Sequence, residues 1–257
     1  MARLTLRRVS STTVFANAFF AKAFANIVSA TAIFAFVAVL LAAGSAAAQD
    51  RRQNEPGKFD FYVLSLSWAP SFCDAAFERA PDQSPPPECG VRAYPFVVHG
   101  LWPQYETGFP EFCQQPAPRL DRNVVSSMLD LMPAPRLIFN EWDKHGTCSG
   151  LNAHAYFEMV RKARALVKIP ADYLGPTQEI TVAPAAVGDA FVKANPGLTR
   201  SSIAVSCDAK RLTEVRICVG KDLGFHDCPD VEQHSCRREQ VVVPPLRAER
   251  KAAAIDR

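Results

Sequence analysis

Short apolar and aromatic stretches alternate with segments rich in proline, glycine and polar residues along this chain. Four stretches are rich in β-branched and aromatic residues, which favour strands. They are residues 59–68, 94–99, 202–205 and 212–219. The last two are separated by a short polar segment, so the pattern predicts two strands joined by a turn.

Apolar residues at helical spacing predict helices over residues 120–132 and 153–167, and a weaker one over 183–194. Residues 139–145 contain no helix breaker and can form another helix. Segment 81–88, with four prolines, and segment 108–118 are predicted loops.

Strands and helices are mixed along the chain without a regular β-α-β alternation. The pattern therefore predicts a single α+β domain over residues 59–243, with a central, mostly antiparallel sheet packed against helices. The polar residues 49–58 are expected to be flexible. The charged, alanine-rich residues 244–257 are expected to be a disordered tail.

Residues 1–48 have the layout of a secretory signal peptide, with four basic and no acidic residues, an apolar run over 32–43 and small residues at 46–48. Cleavage is expected near Ala48. The alternative is an uncleaved membrane anchor, but the apolar run is short for a span of about 20 residues. The sequence thus predicts an exported protein, periplasmic or secreted, with no membrane contact after removal of the signal.

The charge balance changes when the signal peptide is set aside. The whole chain has 29 basic and 26 acidic residues, whereas residues 49–257 have 25 basic and 26 acidic ones. Bulk charge therefore gives no indication of a nucleic-acid partner.

The cysteines indicate disulfides. An even number of cysteines in an exported chain is typical of an oxidising compartment. All eight follow residue 48: Cys73, Cys89, Cys113, Cys148, Cys207, Cys218, Cys228 and Cys236. Zinc binding is the alternative, but the usual ligand spacings, such as C-x-x-C, are missing. Counting cysteines leaves the pairing open.

Two segments carry candidate chemistry. Residues 96–103, FVVHGLWP, place His99 at the end of a predicted buried strand, before a glycine and a Trp-Pro pair. The alternative is a core histidine beside a structural tryptophan.

The second segment is EWDKHGTC, residues 141–148. On a helix Glu141, Lys144 and His145 share one face, which brings a carboxylate, an ammonium and an imidazole together. Gly146 is expected to end that helix. The alternative is a surface Glu–Lys pair beside a solvated histidine.

Together the two segments resemble the two active-site signatures of the ribonuclease T2 family. FDFYVLSLSWAPSFC (59–73) resembles the first strand of that family with its following cysteine, and LTEVRIC (212–218) resembles a late strand. The likeness covers most of residues 59–236. It implies a disulfide-stabilised ribonuclease catalytic domain that cleaves single-stranded RNA to a 2′,3′-cyclic phosphate and then a 3′-phosphate, with little base specificity.

The resemblance also implies roles for the signature residues. His145 would be the base and His99 the acid, although the residues alone do not order the two. Lys144 would stabilise the phosphorane as a point charge, and Glu141 would contact the phosphate or tune an imidazole. No metal or other cofactor is expected.

Residues near the first signature are expected to hold the substrate base. They are Trp102, Gln104, Tyr105 and Phe109. Aromatic faces stack on any base, but Tyr105 and Phe109 could instead simply pack the loop. Gln104 stands where relatives often have an aspartate. Asn140, the expected phosphate contact, stands where relatives often have a histidine.

The disulfide pairs implied by the resemblance are Cys73–Cys89, Cys113–Cys148, Cys207–Cys236 and Cys218–Cys228. His154, His226 and His234 have no signature context and are interpreted as surface or structural residues. The expected partner is RNA, without DNA cleavage, and the expected state is a monomer. The alternative function is a catalytically weak family member that acts as an exported RNA-binding or defence protein.

Overall fold

The computed structural model describes residues 52–90 and 92–246. The predicted signal peptide and residues 247–257 of the predicted tail lie outside these ranges. Within them, no helix combines the length and the apolar character needed to cross a membrane.

The described chain is an α+β fold with two antiparallel sheets, which confirms the predicted class. In chain order the elements are β1 Phe61–Trp68, α1 Ala69–Arg79, β2 Phe96–Gln104, α2 Arg122–Met128, α3 Pro135–Lys144, α4 Ala153–Leu166, β3 Ile180–Val182, α5 Pro184–Ala194, β4 Ile203–Cys207, β5 Leu212–Val219, α6 Pro229–Glu232 and β6 Val241–Val243. The larger sheet has the order β2-β1-β5-β4, and β3 pairs with β6 in the smaller one.

The central strands bury both of their faces, because side chains alternate between the two sides of a sheet. One face joins the main core with the helices, where Leu64 and Leu66 of β1 meet Trp142 and Tyr156. The opposite face carries Phe61 and Val63 of β1 in a second, smaller cluster. This second face is where the candidate site lies.

A β-bulge in β2 places His99 on that second face. Along the β1–β2 pairing, Ser65 lies opposite Gly100 and Leu66 lies opposite Val98, so the register skips His99. The extra residue inverts the alternation, and Val98 and Leu101 therefore both reach the main core although they are three residues apart.

Four disulfides link Cys73–Cys89, Cys113–Cys148, Cys207–Cys236 and Cys218–Cys228. These are the pairs that the family resemblance implies. The second of them ties the loop before α2 to the segment that follows α3, so it braces the side of the site that carries His145.

Both ends of the described chain make contacts with the rest of the fold. Residues 52–58 were expected to be flexible, but Arg52 pairs with Asp60 at 2.6 Å and the amide of Gly57 donates to Cys148 O at 2.9 Å. Residues 244–246, expected in the tail, are also held, because Pro244 O accepts a hydrogen bond from Trp68 Nε1.

Candidate active site

A cavity of about 560 Å³ opens on the second face of the larger sheet. Its walls come from β1, β2, the loop after β2, the end of α3, β5 and the region of α6. The lining residues are Val63, His99, Trp102, Gln104, Gly108, Phe109, Glu141, Lys144, His145, Arg216, Asp230, Val231 and His234. Both signature segments therefore meet in one cavity, as the resemblance implies.

His99 is half-buried between two carboxylates. Its Nδ1 lies 2.5 Å from Glu214 Oε1, and its Nε2 lies 3.5 Å from Glu141 Oε1. Burial by itself would lower the pKa of His99. The hydrogen bond and charge of Glu214, together with the charge of Glu141, outweigh burial and raise the pKa above its ordinary value.

Glu141 is buried on α3 and held by an indole. Trp102 Nε1 donates to Glu141 Oε2 at 2.7 Å. Burial raises the pKa of Glu141, although the charges of His99 and Lys144 and the Trp102 hydrogen bond act against it.

Gly100 is required for this contact. A Cβ at position 100 would overlap both Glu141 Oε2 and Trp102 Nε1. The glycine of the first signature therefore allows the carboxyl group and the indole to approach across β2.

His145 lies directly after the last residue of α3 and is buried. Its ring is 5.3 Å from the Trp102 ring and 6.3 Å from the Phe109 ring, measured between centroids. Its Nδ1 is enclosed and has no hydrogen-bond partner among the described residues. Burial, reinforced by the positive charges of Lys144 and His99, lowers the pKa of His145 to about 3.

The helix carrying His145 ends differently from the prediction. Helix α3 ends at Lys144, but Gly146 begins a 3-10 turn over Gly146–Ser149, and the left-handed residue is Gly150 at φ +74°. Gly146 is needed for space instead, since a Cβ there would overlap the Trp142 ring and press on Tyr156.

Lys144 is more exposed than the three groups above. Its Nζ lies 3.5 Å from Glu111 Oε2 and 5.9 Å from the centroid of the Phe109 ring. Because the side chain is long and solvated at its end, it can reach an anion in the cavity without a large desolvation cost.

The expected base-contacting residues divide into two groups. Trp102, Gln104 and Phe109 line the cavity. Tyr105 does not, because its ring is buried and its hydroxyl donates to Arg52 O at 2.7 Å. Tyr105 thus anchors the N-terminal segment.

Asn140 also lies outside the cavity lining. It is exposed on α3, one helical turn before Lys144. The structure thus does not bring Asn140 together with the other expected site residues in the cavity.

Two charged residues of the site were not selected from the sequence. Glu214 and Arg216 lie on β5, and Arg216 donates from Nε and Nη2 to Glu214 Oε2 at 3.0 and 2.8 Å. The available signal was their i, i+2 spacing within an otherwise apolar strand, which places both on one face.

The region of α6 adds a third unexpected group. His234, interpreted as surface or structural, lines the cavity, and its Nδ1 lies 2.7 Å from Asp230 O. Asp230 also accepts a hydrogen bond from the amide of Gly108 at 3.2 Å. By contrast His154 and His226 are not among the lining residues, and the His226 ring stacks on Phe61.

The arrangement places an imidazole with a raised pKa and an imidazole with a lowered pKa on one cavity, which suits a proton donor and a proton acceptor. Lys144 adds a positive charge and Trp102 an aromatic face. Among residues 52–90 and 92–246, no three or more histidine, cysteine, aspartate or glutamate side chains are grouped so as to hold a metal ion.

The chain is similar to known ribonucleases. The model of the ribonuclease T2 family matches residues 59–228. The chain is 36% identical over 127 residues to a probable ribonuclease of Haemophilus influenzae, covering 46% of this chain and 47% of that protein. It is 40% identical over 112 residues to a ribonuclease of Aeromonas hydrophila, covering 44% and 48%. The chain thus spans about half the length of these curated relatives.

Solved structures share the fold. An RNase-related protein from Calystegia sepium superimposes with a TM-score of 0.59 at 22% identity, covering 74% of this chain and 98% of that one. RNase NT in complex with 5′-AMP superimposes with a TM-score of 0.55 at 23% identity, covering 74% and 100%.

Proposed function

The chain belongs to the ribonuclease T2 family, and on this premise we propose that it is an endoribonuclease that cleaves single-stranded RNA through the 2′-hydroxyl. The observation that carries the proposal is the pair of imidazoles in one cavity with oppositely shifted pKa values. RNA supplies its own nucleophile, so the protein has to move two protons and stabilise charge.

In the proposed first step His145, neutral because its pKa is lowered, accepts the proton of the 2′-hydroxyl as the oxygen attacks phosphorus. His99, held protonated by the ionised Glu214 carboxylate, donates its Nε2 proton to the departing 5′-oxygen. The products are a 2′,3′-cyclic phosphate and a free 5′-hydroxyl. In the second step water attacks the cyclic phosphate with the two roles reversed and leaves a 3′-phosphate.

Charge on the five-coordinate intermediate is the third requirement. Lys144 supplies a positive charge, and Glu141, when protonated, donates a hydrogen bond to a phosphate oxygen. Neither step requires a metal ion, so the proposed enzyme is metal-independent.

Base recognition is proposed to be weak. Trp102 and Phe109 offer aromatic faces that stack on any base, and Gln104 has both a donor and an acceptor. Rates on the sixteen dinucleoside phosphates should differ by less than about tenfold, which corresponds to ~1.4 kcal/mol. A hundredfold preference for one base would contradict this pocket assignment.

The test of the function is cleavage of matched RNA and DNA oligonucleotides by the purified protein, with and without a chelator. We expect cleavage of RNA alone, unaffected by the chelator, with the cyclic phosphate detected first by ³¹P NMR. Cutting of a fully deoxy strand, or loss of activity with the chelator, would contradict the mechanism.

We also propose that the protein is exported, with the ribonuclease domain over residues 59–243. The signal-like pattern of residues 1–48 and the four disulfides support this. Mass spectrometry of the protein from the medium or periplasm should find a chain starting close to residue 49.

A further inference from the structure

Glu214, which contacts Nδ1 of His99, lies on β5, outside the two signature segments. We infer that Glu214 is a positioning residue for the proposed reaction: it holds the His99 imidazole in the tautomer and orientation that direct Nε2 into the cavity, and Arg216 holds Glu214 in turn. The inference rests on the proposed function and names a residue that acts through His99 without contacting substrate.

Glu214 is a buried carboxylate with a full set of donors. Its Oε1 contacts His99 Nδ1 at 2.5 Å and accepts from Ser67 Oγ at 3.2 Å. Its Oε2 accepts twice from the guanidinium of Arg216. A carboxylate has about four acceptor positions, so every one is used and the group is fixed from three sides.

These contacts determine which ring nitrogen of His99 carries a hydrogen when the ring is neutral. Glu214 is ionised beside Arg216 and His99, which lower its pKa to about 2 against the effect of burial. An ionised carboxylate only accepts hydrogen bonds, so Nδ1 of His99 must carry the hydrogen. Nε2 is then the nitrogen that exchanges its proton, and it lies on the side of Glu141.

The sheet makes this geometry rigid. Glu214 of β5 pairs with Ser67 of β1, and β1 lies between β5 and the strand that carries His99. The bulge at His99 turns its ring onto the same face as Glu214. Three neighbouring strands therefore define the position of the imidazole, whereas a carboxylate on a loop would leave it free to rotate.

Arg216 connects this support to the base site. Its guanidinium lies 5.2 Å from the centroid of the Trp102 ring while it forms its two hydrogen bonds to Glu214. The charged and titratable groups that accompany His99 at the cavity are Glu214 and Arg216 from β5, Glu141 and Lys144 from α3, His145 directly after α3, and Asp230 and His234 from the region of α6.

The test compares Glu214→Gln with the wild type on two substrates. One is a dinucleoside phosphate, whose 5′-oxygen needs a proton to leave. The other is a nucleoside 3′-aryl phosphate, whose aryl oxide leaves without one. Because Glu214 acts on the proton donor, we expect kcat on the dinucleotide to fall at least about tenfold, while KM and the rate on the aryl ester stay close to those of the wild type.

The pH profile gives a second readout. Removing the negative charge of Glu214 lowers the proton affinity of His99, so the alkaline limb of kcat/KM should move to lower pH. Glu78→Gln is the matched control: it also removes a carboxylate that accepts two hydrogen bonds from one arginine, in this case Arg211, but Glu78 does not line the cavity. It should leave both rates and the pH limb unchanged.

Equal losses on both substrates with an unmoved alkaline limb would show a purely structural role and overturn the inference. A wild-type protein inactive on both substrates would instead contradict the proposed function. If Glu214→Gln does not fold, ¹⁵N NMR of the wild-type histidine rings decides the question. A neutral His99 with its hydrogen on Nε2 would overturn the inference, and one with its hydrogen on Nδ1 would support it.

Discussion

The two histidines of the cavity have the same side chain and opposite surroundings. His99 lies on the sheet between two carboxylates, and its pKa is raised. His145 lies at the end of a helix, buried beside aromatic rings and Lys144, and its pKa is lowered to about 3. Two identical side chains thus acquire opposite proton affinities from their surroundings, and the proposed roles of donor and acceptor rest on that difference.

The opposite pKa shifts of His99 and His145 also make the protonation state that the proposed mechanism requires the most populated one. An ordinary pair of histidines with pKa values near ~6.5 would each be half-protonated at that pH, and only a fraction of molecules would hold one proton on the required ring. Here His99 is charged and His145 neutral over a broad range of mildly acidic pH. We therefore expect a bell-shaped profile of kcat/KM against pH with its optimum below neutrality.

The largest effect on activity is expected when the imidazole ring of His99 or of His145 is removed. His99→Ala and His145→Ala should each lower kcat/KM on RNA by at least ~10²-fold, the usual contribution of a general acid or base. The aryl phosphate separates them: His99→Ala should retain most of its rate there, while His145→Ala should not. The reverse result would exchange the two roles.

A smaller loss of activity is expected when the hydrogen bond between Trp102 of β2 and Glu141 of α3 is broken. Gly100→Ala places a Cβ into Glu141 Oε2 and Trp102 Nε1, so their hydrogen bond cannot persist. We expect kcat/KM to fall by roughly tenfold, because a misplaced group costs about this or more. The control is Gly90→Ala, whose Cβ would meet only Pro87 O, at 3.4 Å. Equal activities of the two variants would show that the hydrogen bond between Trp102 and Glu141 is dispensable.

The comparison extends to stability, with opposite signs for the two rings. The folded pKa of His145 is below its unfolded value, so its contribution is present above pH ~6.5 and is lost as the pH falls toward 3. The folded pKa of His99 is raised, so its contribution is present below pH ~6.5 and is lost as the pH rises through the folded value.

Urea unfolding at a series of pH values tests these signs. His145→Gln should flatten the loss of unfolding free energy below pH ~6.5, and His99→Gln should flatten the loss above it. The expected changes are a few kcal/mol at most. Identical slopes in both variants and the wild type would contradict the assigned shifts.

The smallest effect is expected on the exposed face of α3. Asn140→His introduces an imidazole at a solvated position outside the cavity lining, where a charge is screened by water and salt. Below pH ~6.5 the new charge should lower KM for RNA by no more than about twofold, and above pH ~7.5 it should have no effect. A tenfold gain would place Asn140 in direct contact with phosphate.

Much of the fold was predictable from local pattern. The strand over 212–219 has the predicted bounds, and α4 ends one residue before its prediction. Helix α1, Ala69–Arg79, is not among the predicted elements. The sequence pattern predicts only the strand before it and the loop after it. The predicted strand ends at residue 99, whereas β2 continues to Gln104. The bulge at His99 interrupts the alternation of side chains between the two faces, so the later residues do not show the period of two that predicts a strand.

The α+β class, the family and the two signature segments could be predicted from the sequence, because these depend on residues that are neighbours along the chain. The partner of His99 depends on the folded chain, since Glu214 is 115 residues away and meets His99 through the strand order β2-β1-β5. The tertiary structure also decided the opposite pKa shifts. Burial and the charges of groups from separate elements set them, and no local pattern contains that information.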